Sequence, residues 1–370
     1  MANIRKLGKI ILSLFFSSVI LGSVSTKATA QVEVTAMPET LLTQHWAMPT
    51  FLNPAATGDI DFIRIRGGAR MEWLGSHDSP KNYLAAADSP FKVGGKRIGA
   101  GIIISSNSYY LYRNFLIGAQ GSYKFRIKKS SLSVGIQIGY FHSKFKGSEY
   151  TYYNNTGNPG DENGGSASEE MLLSRTDDDP AGDAEEDFPD TPENQYPTQD
   201  VKGGTIDMSI GVRYEHKYFH LGLSVLHITN SKIDLTQNGE KTSDLQYIEC
   251  KVPRTLYFEA GGNIGINNSL FTLQPSVLVG TDFSDFHGIA ELRATYNQKV
   301  TFGVDYRWNN AVGVMAGLML KNFFIGYNWE YDYKNRPYGS TGNHELVLGY
   351  QFKMDMGKGA KFAHRSIRIM

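Results

Sequence analysis

The chain is poor in three things. It has one cysteine, Cys250, in 370 residues. A single thiol cannot form an intramolecular disulfide, and it excludes a metal site built on paired cysteines. It has no net charge, with 37 basic and 37 acidic side chains. Nucleic-acid binders usually carry a basic excess, so this balance argues against that class. Past the first thirty residues there is no apolar run of about 18 residues, the length a spanning helix needs. A chain of this kind enters a bilayer only as a closed barrel.

What the sequence does have is glycine and aromatic rings: 39 Gly, 21 Tyr, 20 Phe and 4 Trp. Average glycine usage is about 7%, and this chain exceeds it. Such a composition suits β structure with tight turns. Residues 1–30 read as an export signal. Arg5, Lys6 and Lys9 precede an apolar stretch over 10–22, and Ala28-Thr29-Ala30 supplies the small residues of a cleavage site before Gln31. No cysteine follows the apolar stretch, which excludes a lipoprotein signal. An uncleaved anchor is the alternative, and the shortness of the apolar stretch speaks against it.

From about residue 61 the dominant pattern is alternation with period two. Leu132, Val134, Ile136, Ile138 and Tyr140 share one face, and Ser131, Ser133, Gly135, Gln137 and Gly139 share the other. The same split recurs over 300–308, 323–332 and 345–352. In a soluble sandwich the apolar face would be the core; in a membrane barrel it would face lipid. Periodicity alone does not separate the two. Length does: soluble strands average five or six residues, and these run about nine to fourteen, enough to cross a bilayer at a tilt. Aromatic residues also gather toward segment ends, as in girdles at membrane interfaces.

The expected fold is therefore all-β, a transmembrane antiparallel β-barrel of about 14 strands with long extracellular loops. The predicted spans are 61–72, 81–88, 97–107, 112–127, 130–145, 204–217, 218–229, 253–266, 269–281, 286–297, 299–308, 311–320, 322–332 and 343–353. If the chain enters from the periplasm, connections after odd strands are extracellular and may be long. The longest connections, 146–203 and 230–252, follow strands five and seven. Connections after even strands are tight, save a stretched one from Ser89 to Lys96. Within the longest connection, Gly147 to Asp200 carries 15 acidic residues and one basic residue, Arg175. With so little apolar area, order there is not expected without a partner.

No chemistry announces itself. Asp177, Asp179 and Gly182 begin an EF-hand pattern, but Ala181 and Phe188 stand at positions that need oxygen ligands. There is no G-x-S-x-G and no H-E-x-x-H. The nine histidines show no ligand spacing. Glycine-rich pieces such as 261–265 lie inside expected strands, so they are read as wall positions rather than phosphate loops. The inward face mixes signs: Arg64, Arg66, Arg70, Lys124 and Arg213 with Glu72, Asp207, Glu215, Glu259, Glu330 and Asp332. Glu291 and Arg293 are expected to pair across strands with Asp305 and Arg307, with Glu345 in the same charge network. A selective pore tends to show a ring of one sign. Mixed charge instead predicts a filled lumen and a scaffold rather than an open channel.

Several motifs carry a resemblance. The stretch from Gln44 to Gly58, QHWAMPTFLNPAATG, contains an aromatic followed by Asn53-Pro54-Ala55 and a glycine. Arg70-Met71-Glu72-Trp73-Leu74-Gly75 reads R-x-E-W-x-G, Gly222 to His227 reads G-x-S-x-x-H, Gln274-Pro275-Ser276 supplies P-S, and Asn343-His344-Glu345-Leu346 opens the last strand. Together and in order they resemble the PorP/SprF family of type IX secretion system membrane proteins. Glu72 stands where the family usually has glutamine, and the acidic insertion is longer than expected. The resemblance implies an outer-membrane barrel of a Bacteroidota-type cell that helps export or anchor secreted surface proteins, in some members with gliding-motility adhesins. It implies no enzymatic activity.

The expected organisation is a signal at 1–30, a periplasmic or lumenal segment at 31–60, the barrel at 61–353 with an acidic extracellular loop at 147–203, and a basic periplasmic tail at 354–370. Segment 31–60 is expected to act as a plug that docks a partner, through Trp46, Phe51, Asn53, Pro54 and Gly58, with Trp73 beyond it. Turn chemistry alone also explains Asn53-Pro54 and Gly58. Expected partners are outer-membrane lipid, an adhesin-like secreted surface protein, and a periplasmic protein linked to peptidoglycan or to a motor; no nucleic acid, cofactor or metal is expected. The leading function is non-catalytic docking and transport of surface proteins. The alternative is an outer-membrane channel for a small molecule, like the fatty-acid transporters, which would need an apolar path through the lumen. Removing the signal leaves the mature chain at −4, and removing the acidic stretch leaves the rest at +10, so the zero net charge conceals a segregation of sign.

Overall fold

The computed structural model describes residues 32–35, 42–76, 79–127, 129–149, 197, 199–236, 248–267, 269–334 and 336–354. The signal, most of the acidic loop and nearly all of the basic tail lie outside the described residues. The described residues from Val32 on form one compact unit.

The chain order is β1 (Val32–Thr35), β2 (Phe62–Met71), β3 (Lys81–Val93), β4 (Lys96–Tyr109), β5 (Tyr112–Ile127), β6 (Ser130–Phe145), β7 (Val201–Glu215), β8 (Phe219–Leu226) and β9 (Lys232–Leu235). It continues with β10 (Ile248–Lys251), β11 (Thr255–Gly262), β12 (Ile264–Gly265), β13 (Phe271–Thr281), β14 (Phe286–Tyr296), β15 (Val300–Arg307), β16 (Ala311–Leu320), β17 (Phe323–Asp332) and β18 (Asn343–Lys353). Strands β2–β8 and β11–β18 pair antiparallel with their neighbours, and β18 pairs with β2 to close a 14-strand barrel in which β11 and β12 form one interrupted wall strand.

The burial pattern is that of a protein turned inside out. Along β5, Asn114, Gln120 and Ser122 are buried while Phe115, Ile117 and Phe125 are exposed. Along β15 and β16, Thr301 and Asp305 are buried while Phe302, Val304, Val312 and Val314 are exposed. Water would reject such an apolar exterior, and hydrocarbon is the solvent it fits. A closed wall also leaves no unpaired strand edge, the condition a spanning sheet must meet.

The barrel has a turn end and a loop end. Connections at the turn end are short: 94–95, 128–129, 216–218, 266–270, 297–299 and 321–322. The loop end carries the long ones, 146–200 and 227–254.

Three boundaries differ from expectation for local reasons. Strand β3 runs on to Val93, because the pairing with β2 ends at Asp88. Pro90 therefore lies where only β4 is a neighbour, and its missing N–H interrupts nothing on the other side. The stretched Ser89–Lys96 connection is thus a two-residue turn at Gly94-Gly95, both with positive φ. Expected strand 253–266 is broken at Asn263, whose N–H bonds the Tyr218 carbonyl across the turn end. Within the expected loop 230–252, β9 and β10 pair antiparallel and β1 adds to β10 in parallel. Ile233, Leu235, Ile248 and Cys250 alternate on that small sheet and are all buried. Val32–Thr35 are thereby held at the loop end.

Candidate functional site

The lumen is filled by the chain's own segment 42–61, between β1 and β2. It cannot form a long helix: Pro49 and Pro54 interrupt it, each well placed only at a first helical position. It folds as three single turns of 3-10 helix, His45–Ala47, Pro49–Phe51 and Pro54–Ala56. Asn53, held extended before Pro54, caps the third turn by accepting from the Ala55 N–H.

The segment descends from the loop end to the turn end and is tied to the wall throughout. At the top, the Thr43 and Gln44 N–H groups donate to the two oxygens of Glu345 at 2.8 and 2.7 Å. The Thr43 hydroxyl meets Glu330 and accepts from Arg307 at 2.9 Å. Arg70, buried, bridges Glu330 at 2.5 Å, Glu72 at 2.8 Å and Glu345 at 3.3 Å. This network binds β2, β15, β17 and β18 to the entering chain.

In the middle, the His45 Nδ1 lies 3.2 Å from Glu291 and 3.0 Å from the Thr43 carbonyl. The Arg293 guanidinium stacks 4.2 Å above the Trp46 ring, and Phe324 meets that ring edge-on. Leu42, Met48 and Phe51 join Ile103, Leu116, Phe324 and Val347 in one buried apolar cluster, a small core inside a polar lumen.

Lower down, the Asn53 side-chain amide donates to the Val212 and Leu223 carbonyls of β7 and β8 at 3.1 and 3.4 Å. The wall is cut to receive it. A Cβ on Gly211 would stand 2.0 Å from the Asn53 carbonyl oxygen, and one on Gly135 would stand 2.3 Å from the Ala55 nitrogen. Gln120 donates to the Thr50 carbonyl at 2.7 Å and accepts from Thr57. At the exit, Gly58 turns with φ +60°, its N–H bonded to Asp88 at 2.7 Å. Asp59 is bridged by Arg64 at 2.8 Å, and Asp61 meets Arg97.

The residues singled out in sequence divide accordingly. Phe51, Asn53, Pro54 and Gly58 lie buried within the seated segment, and Trp46 is partly buried there. Trp73 stands apart, at the loop end of β2, its N–H bonded to Asn343. A partner reaches the buried four only if the segment leaves its seat. Of the lumen charges, Glu291, Arg293, Asp305 and Glu345 are buried, as expected of an inward face. The register sets Glu291 opposite Asp305 and Arg293 opposite Gly303. The ion pairs run from Arg293 to Glu291 along β14 and from Arg307 to Glu330 on β17. Strand stagger decides this, and it is invisible in a linear pattern.

Sequence reasoning missed Glu330 as the hub of the upper network and Gly135 and Gly211 as the seat of Asn53-Pro54. Only the inward parity of these residues was visible in advance. A cavity of about 40 Å³ remains beside Trp46, lined also by Asp59, Arg64, Arg213, His220 and Glu259. That volume suits a few waters. Among the described residues no group of three His, Cys, Asp or Glu converges as metal ligands.

Among solved structures the chain is similar to a mutant of the TodX monoaromatic hydrocarbon channel, at 12% identity over 82% of this chain and 94% of that one, with a TM-score of 0.45. It is similar to a FadL homologue of Pseudomonas aeruginosa at 11% identity, 83% and 94% coverage and a TM-score of 0.47. The Omp33 outer membrane protein of Acinetobacter baumannii follows at 7% identity, 80% and 100% coverage and a TM-score of 0.39. No curated protein matches. One family does match, over residues 34–350: that described as type IX secretion system membrane protein PorP/SprF. The match takes in both the lumen segment and the barrel wall around it, and the inverted burial makes the outer membrane its home. The chain belongs to the PorP/SprF family of type IX secretion system membrane proteins.

Proposed function

We propose that this protein is a non-catalytic docking component of the type IX machinery, one that helps export or anchor an adhesin-like surface protein. In this reading the turn end and the basic tail face the periplasm, and the acidic loop faces outward. A peptidoglycan-linked or motor-associated protein meets the periplasmic end. The observation that carries the reading is the occupied lumen. Segment 42–61 is bonded to strands on several sides, and a cavity beside it has room for a few waters. A barrel closed in this way serves as a scaffold whose two ends are its working surfaces.

Deleting the gene and comparing surface proteomes tests this directly. Loss of a specific adhesin-like cargo is the expected result. An unchanged surface with altered uptake of a small molecule would overturn it in favour of a channel. Trp46→Ala with Phe51→Ala, followed by blotting, separates docking from folding: normal barrel with lost cargo marks a docking segment, and lost barrel marks a structural one.

A further inference from the structure

The turn end carries a ring of cations that the lumen network does not use. Lys92 and Lys96 flank the β3–β4 turn, Lys129 lies in the β5–β6 turn, and Lys217 in the β7–β8 turn, all exposed. Exposed Lys299 and Lys321 occupy the β14–β15 and β16–β17 turns, and Lys353 ends β18. Five of the six turns at this end therefore present an exposed lysine. Among the described residues no exposed carboxylate shares this rim: Asp59, Asp88 and Glu259 are buried, and Asp61 and Glu215 are partly buried and engaged by Arg97 and Lys124. The loop end differs, with exposed Glu149 and Asp285.

Lys217 and Lys321 sit in turns next to outward-facing Tyr218 and Leu320, whereas Lys92 and Lys353, alternating with outward-facing Phe91, Val93 and Phe352, fall on the inward face at the rim. Two already lie over interfacial rings, Lys96 at 6.0 Å from Tyr123 and Lys217 at 5.1 Å from Tyr218. A partner protein would contact one sector of the rim. Single cations that recur at five of the six turns, two of them over aromatic rings, match a lipid annulus.

We propose that the turn-end rim binds anionic phospholipid headgroups, of the phosphatidylglycerol type, in preference to zwitterionic ones. The attraction expected of one lysine near such a surface corresponds to about fivefold enrichment at its site. The test reconstitutes the full-length barrel in phosphatidylcholine vesicles containing a minor fraction of phosphatidylglycerol, and counts retained lipids by native mass spectrometry. Wild-type protein should retain phosphatidylglycerol about fivefold above its bulk share, and high salt should abolish the excess. The K217Q/K299Q/K321Q variant should lose most of it, while the loop-end variant K81Q/R113Q/K202Q keeps it; heat-modifiable migration verifies that both are folded. No enrichment in the wild type, or equal loss in the two variants, overturns the proposal. Capture of polyglutamate without lipid enrichment also overturns it, in favour of an acidic protein surface. The assay contains no cargo, so its failure leaves the docking function untouched.

Discussion

Asn53 illustrates how much one side chain decides. Its carbonyl oxygen caps the Pro54–Ala56 turn, and its amide holds two wall carbonyls. Asn53→Asp keeps the cap but aims a carboxylate at those carbonyls; we expect a loss of about 1–3 kcal/mol in urea unfolding of the refolded barrel, the usual cost of unsatisfied buried groups. Arg70 is the other end of the scale. Removing it as Arg70→Ala strands Glu330 and Glu345 in the lumen, so a loss of about 3–5 kcal/mol is expected in the same assay.

At the scale of elements, the wall strands were legible, whereas a plug was expected over 31–60 without the turns that seat it. Strands β5, β6, β16 and β18 coincide with the spans that alternation predicts, 112–127, 130–145, 311–320 and 343–353. Alternation is a local property, and each wall strand records it over enough residues to be read. Errors arose where a local signal was overruled. Pro90 falls in the expected Ser89–Lys96 connection, yet it lies within β3, past the margin of the β2 pairing. The loop over 230–252 looked irregular, yet four-residue strands are too short to show a period. The segment 42–61 shows no periodicity at all, because each of its turns answers to a different wall strand. Its seat makes a prediction. Gly135→Val inserts a side chain where the Pro54–Ala56 turn sits, while an added β-branched residue suits the strand itself. The barrel should still migrate as folded, and a protease site placed within 50–58 should become cleavable. Continued protection would mean that the seat is not where the segment is held.

For the whole molecule, the consequence is electrical. Wild-type protein in planar bilayers should show no large ohmic conductance, whereas deletion of residues 43–58 should open a lumen lined by Arg64, Arg213, Glu259 and Glu291 and give stable conductance. A large conductance in the wild type would end the scaffold reading. The balance of 37 cations against 37 anions takes on a spatial meaning at this scale. Inside, opposite signs neutralise one another around the segment. At the turn end, the exposed charges of the described rim are cations.

The sequence by itself determined the class of the protein: period-two strands of bilayer length, an apolar face broad enough to need lipid, and motifs in family order. These are properties of neighbouring residues, and the chain carries them wherever it goes. What fills the barrel was decided only by tertiary structure. Thr43 meets Glu345 across 302 positions, and Trp46 meets Arg293 only because β14 stands beside the descending segment. Which charges pair depends on strand stagger, and which glycines form a seat depends on where the segment passes. Closing the barrel brings these residues together, and no stretch of the linear chain contains that information.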